Sequence, residues 1–294
     1  MKKKDLIIGD RVIGEDFPVF FIAEIGINHN GDLDIAKKII DIASFCNVDA
    51  VKFQKRDIEI SIPMEVRDQP RETPWGIISY FEYKKKLEFG EVEYKEIEKY
   101  CKDKKILWSV SVWDIPSLEF MMNFDVPFIK IPSAQLTNKE LLLATREINK
   151  PILLGTGMST EDEIKKAIKI LENVPLVIMH CNSAYPAMDG DLNLSYIKKL
   201  IKLYPDHIIG YSGHEQGIAA SLVAATLGAK VIERHVTIDR AMWGTDQAAS
   251  IEFSGLRRIV RDTKKLPIWI GDGIKRVTES ELQVKRKLRN VDTL

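Results

Sequence analysis

Short apolar runs rich in β-branched residues recur along this chain, at 19–25, 50–54, 107–112, 128–131, 151–155, 176–180, 207–211 and 231–235. Their apolarity is continuous, not alternating, which marks strands covered on both faces. Between most of them lie segments with apolar residues at helical spacing, such as Leu33, Ile35, Ala36, Ile39, Ile40, Ile42 and Ala43, or Ile197, Leu200, Ile201 and Leu203. Eight strands, each followed by a helix, predict an α/β protein of the (β/α)8 TIM-barrel type, with an open doubly wound sheet as the structural alternative. Two stretches stand outside this rhythm. Residues 6–17 read as a β-hairpin turning at Gly9-Asp10, suited to cap the N-terminal end of a barrel. From Lys55 to Gly90 the chain is long for a strand-to-helix link and carries Pro63, Pro70, Arg71, Pro74 and Trp75, so it is a candidate lid. A single domain over 1–294 is expected, with the cap at 6–17, the barrel at 18–271 and a charged, partly helical tail at 272–294.

Composition narrows the function classes. Lys plus Arg and Asp plus Glu both number 43, so the chain lacks the basic excess of a nucleic-acid or anionic-membrane binder. Any anion site must be a local gathering of donors. Cys46, Cys101 and Cys181 show no CxxC spacing and sit among apolar residues, which predicts reduced core thiols in a cytoplasmic protein. The lysine-rich start is not followed by an apolar stretch, and no apolar run approaches the roughly 20 residues needed to span a bilayer. Neither a secretory leader nor a membrane anchor is expected.

The chemistry gathers at the predicted C-terminal strand ends, where a barrel of this kind works. Two runs finish in histidine, Ile208 to His214 and Val231 to His235, with a helix-length segment between them. On adjacent parallel strands these imidazoles would share one rim, able to hold a divalent cation and leave positions open for substrate, with Glu233 close by. The plain alternative is that each histidine simply caps the rim. Strand 1 ends in Glu24. Strand 2 carries Lys52 and Gln54, alternating with Val51 and Phe53 and so pointing inward. Strand 3 offers Ser109, Ser111 and Asp114, strand 4 Lys130 and Ser133, strand 5 Thr156, strand 6 Ser183 and Tyr185, and strand 7 Ser212. Two lysines and several hydroxyls suit phosphate and carboxylate, and two glutamates can handle protons. Lys52 and Lys130 have two other readings, as structural ion pairs with Glu24 or Glu233, or as Schiff-base amines of an aldolase.

These residues carry a resemblance. Ala23-Glu24-Ile25-Gly26-Ile27-Asn28-His29-Asn30-Gly31, Val51-Lys52-Phe53-Gln54, Lys130-Ile131-Pro132-Ser133, Gly155-Thr156-Gly157-Met158, His180-Cys181-Asn182-Ser183-Ala184-Tyr185-Pro186, Gly210-Tyr211-Ser212-Gly213-His214 and Glu233-Arg234-His235 resemble the N-acetylneuraminate (sialic acid) synthase family, from about residue 10 to 285. The resemblance implies metal-dependent condensation of phosphoenolpyruvate with the open-chain aldehyde of an N-acetylated hexosamine such as N-acetylmannosamine. The products would be a nine-carbon 2-keto acid and phosphate, formed by C–O cleavage. It implies that His214 and His235 hold Mn²⁺, or Mg²⁺ or Co²⁺, and that Lys52 and Lys130 with Ser111, Ser133, Ser183 and Ser212 clamp phosphoenolpyruvate. Glu24 and Glu233 would manage protons, and Gln54, Tyr185 and Asp246 would contact the sugar. A homodimer or higher homo-oligomer is expected.

The chain departs from the family pattern in several places. Ser109-Val110-Ser111-Val112-Trp113-Asp114 replaces Ser-Thr-Pro-Phe-Asp, Gly155 replaces a serine that would donate to phosphate, and Ser183 replaces an asparagine. Gly244-Thr245-Asp246-Gln247 stands for Gly-Pro-Asp-His. Many relatives add a C-terminal antifreeze-like domain bearing a sugar-binding arginine, and this chain stops at Leu294 where it would begin. Arg71, Arg276, Arg286 and Arg289 are the candidates to replace that arginine, each against the alternative of a solvated surface. Three rival functions remain at this level: a sister synthase using a phosphorylated or di-amino sugar, a Schiff-base aldolase, and a non-catalytic sugar-acid-binding barrel.

Overall fold

The structure is a computed structural model that describes residues 5–289, so the first residues of the lysine-rich start and the last five of the tail lie outside it. Its strands are β1 (Leu6–Ile8), β2 (Arg11–Ile13), β3 (Phe20–Gly26), β4 (Ala50–Lys55), β5 (Pro70–Thr73), β6 (Gly76–Ser79), β7 (Leu107–Val112), β8 (Ile129–Ile131), β9 (Ile152–Gly155), β10 (Leu176–Cys181), β11 (Ile208–Gly213) and β12 (Val231–His235). β3, β4 and β7 to β12 form a closed parallel barrel. The β12–β3 ladder, running from Val231 opposite Phe20 to His235 opposite Glu24, closes it and excludes the open sheet. Each predicted apolar run is one barrel strand.

Alternation along the strands sorts the side chains. Outward residues such as Phe21, Ala23, Ile25, Val51 and Phe53 pack under the helices in the main core. Inward residues Phe20, Ile22, Ala50, Phe128, Leu153, Val177, Met179, Ile208 and Val231 fill the lower barrel together with Leu6, Ile8 and Ile13 of the hairpin. The hairpin therefore plugs the barrel floor, as its position suggested. One pleat further along the same inward rows, Phe20–Ile22 is followed by Glu24, Ala50 by Lys52 and Val231 by Glu233. The interior thus changes from apolar to charged over one pair of residues.

The helix Leu33–Phe45 begins where Asp32 accepts hydrogen bonds from the amides of Asp34 and Ile35, and it buries Ala36, Ile39, Ile40 and Ala43. The 55–90 insertion is an ordered wall. It contains the β5–β6 hairpin and the helix Tyr80–Leu87, which starts on a Ser79/Glu82 capping box. Tyr83 and Leu87 pack with Ile27 and Trp243, and the rings of Trp75 and Tyr83 meet Trp243 edge-on at 6.1 and 5.2 Å. The insertion is thereby fixed to the loop that follows β12. Gly31 is a second anchor, with φ +75° and an ideal Cβ that would lie 2.0 Å from the Lys86 carbonyl oxygen. Gly31→Ala is expected to cost about 2 kcal/mol, lowering Tm by roughly 4–8 °C. A thermal melt unchanged within 1 °C, on the order of the smallest shift resolved for a domain of this size, would show that this contact gives way easily.

The tail is partly helical as expected, over Glu279–Leu288, and that helix buries none of its residues. Cys46 and Cys101 lie in the core as free thiols. Cys181 is also free and buried, and in addition it lines the barrel mouth. Among the described residues no helix is long and apolar enough to cross a membrane.

Candidate active site

The C-terminal strand ends enclose a cavity of about 120 Å³. Its wall holds Glu24, Lys52, Gln54, Ser111, Lys130, Ser133, Ser183, Tyr185, Ser212, His214, Glu233 and His235. Asp246 does not line it, but its carboxylate stands 3.7 Å from His235 Nδ1.

Strand register explains the constellation. Glu24 lies beside Lys52 and His235 on the two flanking strands, and Ser111 is opposite both Gln54 and Lys130. Lys52 pairs with Glu24 and donates to Ser111 Oγ at 2.6 Å. Gln54 donates to Glu24 Oε1 at 3.2 Å. Lys130 pairs with Glu233 Oε1 at 2.6 Å, and Ser212 donates to the same oxygen at 3.0 Å. Glu233 Oε2 is buried with no hydrogen-bond partner. Both lysines therefore form the structural ion pairs weighed as the plain alternative, yet they do so around a cavity and leave one carboxylate oxygen uncommitted.

The two carboxylates are held in different states. Burial raises Glu24 to about 7, with Lys52 opposing it and the charge of Glu233 adding to it. Burial works the same way on Glu233, but the charges of Lys130 and Lys52 outweigh it and hold this carboxyl at about 2. Lys130 sits above its ordinary value because Glu233 outweighs the burial that opposes its charge. Burial also lowers His214 and His235 to about 3, with cationic neighbours assisting, so both imidazoles are neutral near pH 7. Their ring centroids are 5.5 Å apart. His214 Nδ1 donates to the Asn182 carbonyl at 2.5 Å, so the lone pair of Nε2 faces the Tyr185 hydroxyl, 2.9 Å away. Tyr185 stacks on His214 at 4.1 Å while 45% exposed, a cover that can be displaced from one side.

Several expected participants are structural instead. Ser109 donates to the Phe128 carbonyl, Thr156 donates to the Met179 carbonyl at 2.9 Å, and Asp114 caps the helix Ile115–Met121. The family departures have local reasons. A Cβ on Gly155 would approach Ser133 N and Oγ to 2.9 Å, so glycine lets β9 lie against that serine. Gln247 is buried, accepts from Thr237 and donates to the Asn28 carbonyl at 3.2 Å, tying the loop after β12 to the loop after β3. Arg276, Arg286 and Arg289 lie on the exposed tail and none lines the cavity. Trp113, Met158 and Cys181 line it without having been singled out. Trp113 was visible as the aromatic interrupting the motif after β7.

A closed (β/α)8 barrel whose rim brings two buried lysine–glutamate pairs and two neutral histidines to one cavity is built as an enzyme. Residues 39–275 match the NeuB family model, and the chain belongs to that family. It is 38% identical to human N-acetylneuraminate-9-phosphate synthase over 282 residues, covering 95% of this chain and 78% of that one. It is 34% identical to the N,N'-diacetyllegionaminic acid synthase of Campylobacter jejuni, covering 88% of this chain and 80% of that one. The crystal structure of N-acetylneuraminic acid synthetase from Leptospira borgpetersenii, in complex with citrate, superposes with a TM-score of 0.84 at 31% identity, covering 98% of this chain and 99% of that one.

Proposed function

We propose that this enzyme condenses phosphoenolpyruvate with the open-chain aldehyde of an N-acetylated hexosamine, yielding a nine-carbon 2-keto acid and phosphate. The observation that carries the reading is the pairing of two buried lysines with two buried glutamates, facing two imidazoles across one cavity. Phosphoenolpyruvate brings a phosphate and a carboxylate, and Lys52 and Lys130 supply one ammonium for each. Membership in a family whose relatives include N-acetylneuraminate-9-phosphate and diacetyllegionaminic acid synthases supports a sugar aldehyde as the other reactant.

In this scheme carbon 3 of the enol bonds to the aldehyde carbon, and the aldehyde oxygen takes up a proton from the Glu24 carboxyl. Positive charge develops at carbon 2, which the ionised Glu233 in the cavity wall would stabilise. A water oxygen then bonds carbon 2 and loses its proton to Glu24, whose affinity near neutrality suits that exchange. The carbon 2–oxygen bond to phosphate then breaks, the proton of the new hydroxyl passes to the departing phosphate, and the keto group is left. Ser111, Ser133, Ser183 and Ser212 would orient the enolpyruvate, and Gln54, Tyr185 and Asp246 the sugar. Substrate entry requires Tyr185 to leave His214, because about 120 Å³ accommodates only on the order of four waters.

The donor set at His214 and His235 fits a divalent cation. Among the described residues no group of three or more metal-capable side chains closes on one point, so the two imidazoles would share the ion with water and substrate. Such a cation, Mn²⁺, Mg²⁺ or Co²⁺, would polarise the aldehyde as a Lewis acid, and these nitrogen ligands do not select among the three. The raised Lys130 argues against that residue as the Schiff-base amine of an aldolase, which needs a lysine lowered toward neutrality.

The test is phosphate release from phosphoenolpyruvate across a panel of hexosamines, with Mn²⁺ and with chelator. Release that requires both an N-acetylhexosamine and the metal is expected. Release without any sugar, or trapping of pyruvate by borohydride, would sink the reading.

A further inference from the structure

The insertion reaches the candidate site through Glu88 and not through Arg71, whose guanidinium lies over the Tyr83 ring at 4.7 Å, away from the cavity wall. Glu88 follows the helix Tyr80–Leu87 and holds Arg56 at two points. Its Oε1 pairs with Arg56 Nε at 3.1 Å, and its Oε2 accepts the Arg56 backbone amide at 3.3 Å. Arg56 is 8% exposed, and its guanidinium lies 4.4 Å from the ring centre of Trp113, which lines the cavity. From that fixed place Arg56 Nη2 donates to Gln54 Oε1. The Gln54 backbone is held as well, because its carbonyl accepts the Tyr94 hydroxyl at 3.0 Å.

The Arg56 contact decides which end of the Gln54 amide meets which neighbour. A guanidinium has five donors and no acceptor, so the atom turned toward Arg56 is the amide oxygen. Glu24 makes no such demand, since a carboxyl accepts when ionised and donates when protonated. With the oxygen engaged by Arg56, the amide nitrogen faces Glu24 and donates to its Oε1 at 3.2 Å. That bond uses one N–H. The other has no partner among the described residues, and Gln54 is part of the cavity wall.

We propose that Arg56 is a positioning residue for the sugar: it locks the Gln54 amide with its N–H side toward the cavity, so that Gln54 recognises an acceptor oxygen, hydroxyl or acyl carbonyl, on the substrate. A chain of contacts thus runs from the insertion to the reaction centre, through Glu88, Arg56, Gln54 and Glu24. The proposal rests on the condensation reading for the identity of the sugar, whereas the orientation of the amide does not depend on it.

Two measurements on the full chain test it. The first follows the Gln54 side-chain amide by NMR in protein carrying isotope-labelled glutamine side chains, the signal being assigned by its loss in Gln54→Met. Arg56→Met should speed exchange of this amide with solvent by roughly tenfold, the effect of losing one hydrogen bond. The second is steady-state kinetics. Arg56→Met should raise the sugar KM by roughly five- to tenfold while the phosphoenolpyruvate KM stays within about twofold. The same change made in Gln54→Met should add nothing further to the sugar KM. Arg56→Met is also built with Glu88→Gln, which strands no carboxylate should the single variant fail to fold.

Unaltered exchange of the Gln54 amide in Arg56→Met would overturn the proposal. So would an unchanged sugar KM, an equal rise in both KM values, or a rise that persists in the Gln54→Met background, the last two being marks of a general structural role. If no sugar supports phosphate release while the amide still loosens, the condensation reading falls and the orientation of Gln54 by Arg56 stands.

Discussion

Lys130→Met is expected to lower kcat/KM for phosphoenolpyruvate by about a hundred- to a thousandfold, the range seen when one preorganised hydrogen-bond donor is removed from a water-poor site. Lys130 sits 2.6 Å from Glu233 Oε1 and 3.5 Å from Ser212 Oγ, so one ammonium keeps Glu233 ionised and, in the proposed reaction, would also hold the substrate anion. Without it, the nearest remaining cation to Glu233 is Lys52 at 3.8 Å, itself committed to Glu24. The Glu233 carboxyl should then move up as burial takes over, and activity should gain a new limb toward higher pH, where that carboxyl ionises again. Steady-state phosphate release across pH 5 to 9, about the range in which such a shifted carboxyl titrates, measures both effects. A variant within tenfold of the unaltered enzyme, a change of about 1.4 kcal/mol in the barrier, would remove Lys130 from the machinery. Lys130→Arg should not rescue, because a planar fork cannot occupy the place of a compact ammonium between Glu233 and Ser212.

Arg234→Met is expected to be the most destabilising single change, at about 3–5 kcal/mol, although Arg234 does not line the cavity. It lies between Glu233 and His235 on β12 but faces outward, fully buried between the barrel and the helix Ala219–Thr226. Its guanidinium reaches Glu215 Oε1 at 2.7 Å, Ser221 Oγ at 2.8 Å and the Gly217 carbonyl at 2.9 Å. Removing it strands the Glu215 carboxylate, which is 1% exposed and keeps only the hydroxyls of Tyr211 and Ser221. Pairing Arg234→Met with Glu215→Gln should recover part of the loss, since no uncompensated charge then remains. Urea denaturation is the check. A midpoint that falls without a change in slope is expected, and a single variant as stable as the unaltered protein would mean that water reaches Glu215.

The barrel was legible because both faces of each strand are buried, which writes continuous apolar runs into the chain. The site was legible for a related reason. Glu24, Lys52 and Glu233 interrupt those runs at inward positions, where a polar side chain has no ordinary place. Reading failed where a residue's partners lie far away in sequence. Lys84 looks like a surface charge of an irregular insertion until Asp246, about 160 residues on, is seen acting on it. Cys181 has apolar neighbours along its strand, yet its thiol sits 3.1 Å from both Ser133 Oγ and the Gly157 amide, at the mouth. Ser109, Asp114 and Thr156 show the converse error, polar groups at strand ends whose hydrogen bonds are satisfied by nearby backbone.

The floor plug also sets a timetable for synthesis. Leu6, Ile8 and Ile13 leave the ribosome before the whole barrel, but Val177, Met179, Ile208 and Val231, which they must meet, are among the last barrel-strand residues made. The same delay applies to β3, whose edge stays open until β12 arrives. Through most of translation the nascent chain therefore carries an apolar hairpin and an unpaired strand edge, the two surfaces most prone to association with other chains. Closing contacts so distant in sequence form slowly. Yield of soluble protein should accordingly depend on holding the first 26 residues apart from one another's copies until the final strand docks.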